Sequence, residues 1–148
     1  MIEKAKKSDV NTLASLACLL WPEHSESEMQ VEFAEILAKP DAAIFLAWEG
    51  ETVVGFAQCQ LRRDYVEGTA SSPVGYLEGI FVEESHRGKG YARMLLAACE
   101  QWAKAQGCRE FASDCELDNL QSLHFHMRVG FAEANRIICF TKKLQQGE

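Results

Sequence analysis

The chain has 148 residues, 15 Lys and Arg against 22 Asp and Glu, a formal charge of −7 and 47% hydrophobic residues. This is the size of one soluble domain, able to hide roughly 68–70% of the surface its unfolded chain exposes, which excludes disordered and collagen-like chains. Its acidic balance disfavours nucleic acid and favours cationic ligands, and its longest apolar stretches, such as Ala42 to Trp48, fall short of the ~20 residues a membrane-spanning helix needs.

A short strand at Ile2 to Ala5 leads to Ser8, a good N-cap residue. In the helix that follows, Leu13, Leu16, Ala17 and Leu20 share a face until Pro22 stops it, leaving Trp21 at the helix exit. Ser25 and Glu28 have capping-box spacing, and Met29, Phe33, Ile36 and Leu37 form the apolar stripe of a second helix ending near Pro40. Its other face carries Glu28, Glu32 and Glu35. The run AIFLAW, the turn Glu49-Gly50-Glu51 and the run TVVGFAQCQLR predict a β-hairpin. Arg63 to Gly75 is a loop, broken by Gly68, Ser71, Ser72 and Pro73, with Tyr65 as an aromatic in a polar segment.

A strand at Tyr76 to Val82 runs into the turn HRGKGYA and a helix to about Gln106, with Met94, Leu95, Ala98 and Trp102 expected to face inward and Gly107 ending it. Arg109 to Asp114 reads as a strand, Asn119 to Val129 as a helix, and Phe131 to Ala134 with Arg136 to Lys143 as a closing strand pair. About seven strands and four helices, mostly joined by short turns, predict an α+β fold with a mixed, largely antiparallel sheet flanked by helices, in a single domain spanning residues 1–148.

The N-terminus, MIEKAKKSDV, lacks an apolar h-region and a small-residue cleavage site, so a cytoplasmic location is expected. The six cysteines are scattered singly, with no C-x-x-C pair and no His at ligand spacing, which predicts reduced, mostly buried thiols and no metal centre.

Between a strand and a long helix, Arg87-Gly88-Lys89-Gly90-Tyr91-Ala92 aims several backbone N–H groups at one point. Glycines permit close approach, the helix dipole adds about half a positive charge, and Arg87, Lys89 and Arg93 add full ones. A nucleotide or coenzyme pyrophosphate suits such a place, although two glycines also serve a plain tight turn. The G-K-[ST] ending of a P-loop is missing, as are the third glycine and downstream carboxylate of a dinucleotide fingerprint.

Arg-x-x-Gly-x-Ala after a strand (Arg87, Gly90, Ala92), then a helix, a strand, a helix opening with Asn119 and the ending Val129-Gly130-Phe131, resembles the GCN5-related N-acetyltransferase superfamily over nearly the whole chain. The resemblance implies acetyl-coenzyme A as co-substrate, its pyrophosphate on the backbone of Gly88 to Arg93, its pantetheine paired to the strand at Ile80, Phe81 and Val82, and Asn119 touching the coenzyme arm. The segments LWPEH, RRDYVEG, SSPVGYLEGIFV and EFASDCELDN are similar to those of aminoglycoside 6'-N-acetyltransferases, which implies a cationic aminoglycoside substrate, antibiotic resistance and a homodimer.

N-acetylation needs an uncharged amine, a thioester held open to it and donors for the developing oxyanion, with no covalent enzyme intermediate. Glu78, a carboxylate in an otherwise apolar strand, is the candidate base, and Asp114 at the end of the next strand is its expected companion across a splayed gap. Read blandly, Glu78 is a solvent-facing strand residue and Asp114 caps a turn. Trp21 and Tyr65 match positions that flank sugar rings in the resembled enzymes; core packing and an oligomer contact are their other readings. His126 stands where many superfamily members carry a tyrosine that protonates the leaving thiolate, and the general acid is left unassigned. Asn135 stands where related enzymes can carry an acidic substrate-binding residue, with Glu133 as a substitute. An acetyltransferase for another small amine, such as a polyamine, and a noncatalytic coenzyme-A-sensing module are the competing functions.

Overall fold

Two mostly apolar runs, buried on both faces, pair β2 (Ala42–Glu49) with β3 (Thr52–Arg62) as the expected hairpin, turning at Gly50, whose φ of 61° suits glycine. The structure, a computed structural model, describes residues 1–147, so Glu148 lies outside the described residues. Two units are resolved in the chain, Met1–Asp114 and the residues from Cys115 onward.

In the first unit β1 (Ile2–Lys4), β2, β3, β4 (Val74–Val82) and β5 (Phe111–Ala112) form one sheet in that order, antiparallel except for the parallel pair β4 and β5. α1 (Val10–Leu20) and α2 (Glu26–Leu37) bury Leu13, Leu16, Ala17, Met29 and Phe33 against Ile44, Leu46 and Phe56 of the sheet. α3 (Tyr91–Ala105) crosses β2, β3 and β4 and meets β3 where the buried Cys99 lies beside the buried Cys59. Phe56 and Cys59 are an odd number of residues apart, so α3 covers the face opposite to α1 and α2.

Several local expectations are corrected. A 3-10 turn at Lys7–Asp9 precedes α1, and Asp9 rather than Ser8 is its N-cap residue; the Asp9 carboxylate accepts from the Lys6 N–H at 2.8 Å. On α3 the buried residues are Leu95, Leu96, Cys99 and Ala103, whereas Met94 is 42% exposed. Small side chains at 99 and 103 let the helix approach the sheet closely, which a stripe through Met94 and Trp102 would prevent. Only Cys59 and Cys99 are buried among the six free cysteines; Cys18 and Cys108 are half-buried, and Cys115 and Cys139 are exposed.

In the second unit, α4 (Leu120–Arg128) is capped by Asn119, whose side-chain oxygen accepts from the Ser122 N–H at 3.1 Å. The closing strands expected at Phe131 to Ala134 and Arg136 to Lys143 are not formed, so the described residues contain five strands where about seven were expected. A strand exists only through its ladder partner, and here Ile138 and Phe140 stay 81% and 87% exposed.

Candidate active site

Strand β4 carries the first feature of the site. Leu77 pairs with Cys59 and Gly79 with Gln58, so Glu78 is an extra residue between two consecutive positions of β3. This β-bulge shifts the strand's phase by one. Gly75 therefore looks toward α3, where a Cβ would stand 2.7 Å from that of Ala103, whereas Gly79 four residues on looks toward Trp21. Without the bulge both would share one face.

The carboxylate of Glu78 is held by Arg62, at the end of β3, whose Nη2 donates to Oε1 at 2.5 Å and to Oε2 at 3.0 Å. The Arg62 guanidinium carbon lies 3.4 Å from the centroid of the Tyr76 ring, a cation–π stack. Tyr76 in turn donates its hydroxyl hydrogen to Oδ2 of Asp114. Burial first, and then this bond, push the Tyr76 hydroxyl above its ordinary value, so it remains a donor. Glu78 and Asp114 are thus brought together through Arg62 and Tyr76.

Beyond Tyr76 and Ala112, β5 ends while β4 runs on to Val82, so among the described residues no strand pairs with Ile80, Phe81 and Val82 on that side. This is the expected splay, and an extended group with its own donors and acceptors fits it. At its end Arg87 donates from Nε to the Val82 carbonyl at 2.9 Å, with its guanidinium 5.8 Å from the Phe81 ring. A cleft of about 690 Å³ is lined by Leu19, Phe81, Glu83, Glu84, Ser85 and Arg87.

Gly88 and Gly90 hold φ of 81° and 88°, left-handed values that side chains with a Cβ resist. Gly90 is the N-cap of α3, and no side chain caps that end, so the turn fits an anionic group received by backbone N–H groups. Tyr91, Ala92 and Arg93 form the first turn of the helix. Lys89 is engaged by Glu49 at 3.1 Å, and His86 by the same carboxylate at 2.8 Å. The Lys89 hydrogen bond leads the causes that hold the Glu49 carboxyl below the usual range.

Trp21 packs edge-on to Phe56 with ring centroids 6.2 Å apart and lies against Gly79, next to Glu78. Trp21 thus packs on the core while its indole edge lies against the residue that follows Glu78. Tyr65 is 76% exposed, in a loop pinned by Glu110, which accepts from the Ala70 N–H at 2.8 Å and from the Ser71 hydroxyl at 2.5 Å. In the second unit Asn119 spends its side-chain oxygen on the cap of α4, and His126 donates from Nδ1 to the Ser122 carbonyl at 2.7 Å. The Asn135 side-chain oxygen accepts from the Arg136 N–H at 2.8 Å, and Glu133 pairs with the Arg136 side chain at 2.6 Å.

Arg62 and Tyr76 are site residues that the sequence reading missed. The available signal was the period-2 polar row Gln58, Gln60 and Arg62 on β3, which lies on one face of the sheet together with Tyr76, the β4 partner of Gln60.

The profile of the Acetyltransferase (GNAT) family matches residues 10–131. An aminoglycoside N(6')-acetyltransferase type 1 of Serratia marcescens is 41% identical over 146 residues, covering 97% of this chain and 99% of that protein. A protein of the same name from Stenotrophomonas maltophilia is 42% identical, covering 97% and 94%. Among solved structures, AAC(6')-Iy in complex with the bisubstrate analog CoA-S-monomethyl-acetylneamine matches with a TM-score of 0.93 at 38% identity, over 97% of this chain and 98% of that one. AAC(6')-IG from Acinetobacter haemolyticus matches with a TM-score of 0.93 at 37% identity, over 98% and 99%.

Proposed function

Because this chain belongs to the GNAT family of acetyltransferases, we propose that it transfers an acetyl group from acetyl-coenzyme A to the 6'-amine of aminoglycosides, giving resistance to them. The observation that carries this reading is the identity shared over nearly the whole of both chains with aminoglycoside acetyltransferases, one of them solved with an analog that joins coenzyme A to an acetylneamine. The family match runs across the boundary at Asp114 and Cys115, which supports one acetyltransferase domain over residues 1–148.

Acetyl-coenzyme A supplies the acetyl group as a thioester. The chain's own groups do the rest. Backbone N–H groups of Gly88 to Arg93, with Arg87 and Lys89, receive the pyrophosphate, and Lys89 exchanges Glu49 for it. The unpaired stretch from Ile80 to Val82 receives the pantetheine, and Asn119 touches the coenzyme arm. Asp114 and Glu78 bind the substrate's ammonium, and Glu78 accepts its proton through water. The freed amine forms the C–N bond, the C–S bond breaks, and the departing thiolate takes up the second proton, which the nitrogen sheds as it becomes an amide. Trp21 and Tyr65 flank the sugar rings, and Asn135 adds a polar contact. The exposed Ile137, Ile138, Phe140 and Leu144 support a homodimer, in which a second copy covers them. Among the described residues no helix is long and apolar enough to cross a membrane; a cytoplasmic location suits an intracellular co-substrate.

The test is thiol release with acetyl-coenzyme A against paired aminoglycosides bearing an amine or a hydroxyl at the 6' carbon, and against polyamines. Turnover confined to the 6'-amino members supports the reading. Equal N-acetylation of the 6'-hydroxyl members refutes the regiochemistry, turnover on polyamines alone refutes the substrate class, and coenzyme binding without any turnover points to a sensing module.

A further inference from the structure

We propose that Arg62 is a positioning residue of the amine site: a built-in cation that fixes the Glu78 carboxylate for the incoming amine and, through Tyr76, couples it to Asp114. The inference rests on the proposed acetyl transfer and adds to it how the two carboxylates are held.

Three constraints leave the guanidinium little freedom. One nitrogen reaches both oxygens of Glu78, at 2.5 and 3.0 Å. Its plane is backed by the Tyr76 ring at 3.4 Å, and that ring, only 7% exposed, is itself anchored by the hydroxyl bond to Asp114. A lysine supplies the charge without the planar fork or the stack. A carboxylate has about four lone-pair positions. Arg62 takes one on each oxygen of Glu78 and leaves the others to a substrate amine.

The charges add up to a specific signature. Two carboxylates and one guanidinium leave one net negative charge, which balances one ammonium of the substrate. Removing the guanidinium makes the site more attractive to cations while releasing the carboxylate from its productive direction. Affinity and turnover therefore move in opposite senses. A residue that merely holds the fold together would lower both.

Neamine binding is measured by calorimetry and neamine turnover by thiol release for the wild type, Arg62→Gln, Arg62→Lys, Tyr76→Phe, Asp114→Asn and the Tyr76→Phe/Asp114→Asn double variant. Arg62→Gln binds neamine about three- to tenfold more tightly and loses about tenfold or more in kcat. Arg62→Lys returns the affinity to that of the wild type but only part of the kcat. Tyr76→Phe lowers kcat/KM in the wild-type background and changes nothing further in the Asp114→Asn background, because its hydroxyl acts through that carboxylate. Weaker neamine binding with unchanged kcat in Arg62→Gln, full kcat in Arg62→Lys, or independent effects of Tyr76→Phe and Asp114→Asn overturns the proposal. Should Arg62→Gln fail to fold, Arg62→Lys decides: wild-type affinity with reduced kcat supports the proposal, and full kcat overturns it. A wild type that binds neamine without releasing thiol overturns the acetyl-transfer reading alone, and the affinities of the Arg62 variants still test the positioning role.

Discussion

The indole of Trp21 lies 2.9 Å from the point where a Cβ would stand on Gly79. The indole is rigid and wedged edge-on against Phe56, so it has no inexpensive way to retreat. Gly79→Ala is expected to cost about 1–3 kcal/mol of stability by overpacking. Because Trp21 shifts as it yields, KM for neamine rises as well. Urea denaturation and steady-state kinetics read the two effects, and an unchanged unfolding midpoint would show that Trp21 swings aside without cost.

Glu78 and Asp114 are expected to behave as one proton-accepting and cation-binding unit. Glu78→Gln keeps the shape and removes the basicity, so kcat falls by about 10-fold or more, most steeply below neutral pH. Asp114→Asn adds less than independently, since Tyr76 and Arg62 link the two carboxylates. The measurement is a pH–rate profile of both single variants and the double. Wild-type kcat with only a raised KM in Glu78→Gln would assign deprotonation to bulk solvent.

The glycine turn makes a separate prediction. Arg87→Ala removes a full charge beside the turn, and weaker acetyl-coenzyme A binding by about tenfold is expected from the loss of a charge-assisted hydrogen bond. Gly90→Val forces a β-branched residue to a φ of 88°, which costs about 1–2 kcal/mol or more and tilts the N–H groups of the α3 entry. Calorimetry on both folded variants checks this, and unchanged affinity in both refutes the pyrophosphate assignment.

Glu110 ties the Tyr65 loop to the rest of the first unit. The Ser71 hydroxyl first, and then the Ala70 N–H, hold its carboxyl below the ordinary 4.5. A depressed carboxylate contributes stability that is present above its unfolded value and lost as pH falls through its folded one. Glu110→Gln is therefore expected to be less stable than the wild type at neutral pH, and the two should converge in acid. Urea midpoints across that range decide it; a constant gap at every pH would remove the ionised form from the account.

What could be read from the chain, and what could not, divides along sequence distance. The hairpin, the glycine turn and the stop after Trp21 depend on neighbours a few residues apart, and all are found. Glu78 and Asp114 stood out because a carboxylate in an apolar strand, or at its end, is conspicuous by itself. Arg62 and Tyr76 did not, because their roles depend on how β3 registers against β4, and the bulge that sets that register has no local mark besides the glycine after it. The stripe of α3 was misplaced by one residue because Met94 outranks Cys99 in hydrophobicity but not in closeness of packing. The closing strands failed for the opposite reason: their alternation was evident, whereas a ladder partner is a nonlocal condition.

The extra residue in β4 also bears on how the gene can change. Up to Leu77 the strand keeps one alternation and from Gly79 another, so the odd-numbered positions face α3 in the first half and the Trp21 side in the second. Loss of the Glu78 codon would close the bulge and leave Leu77 against Cys59, Gly79 against Gln58 and Phe81 against Phe56, every one on its present face. Such a chain keeps the sheet and its packing and loses the carboxylate. The extra length of this strand therefore serves the site and not the fold.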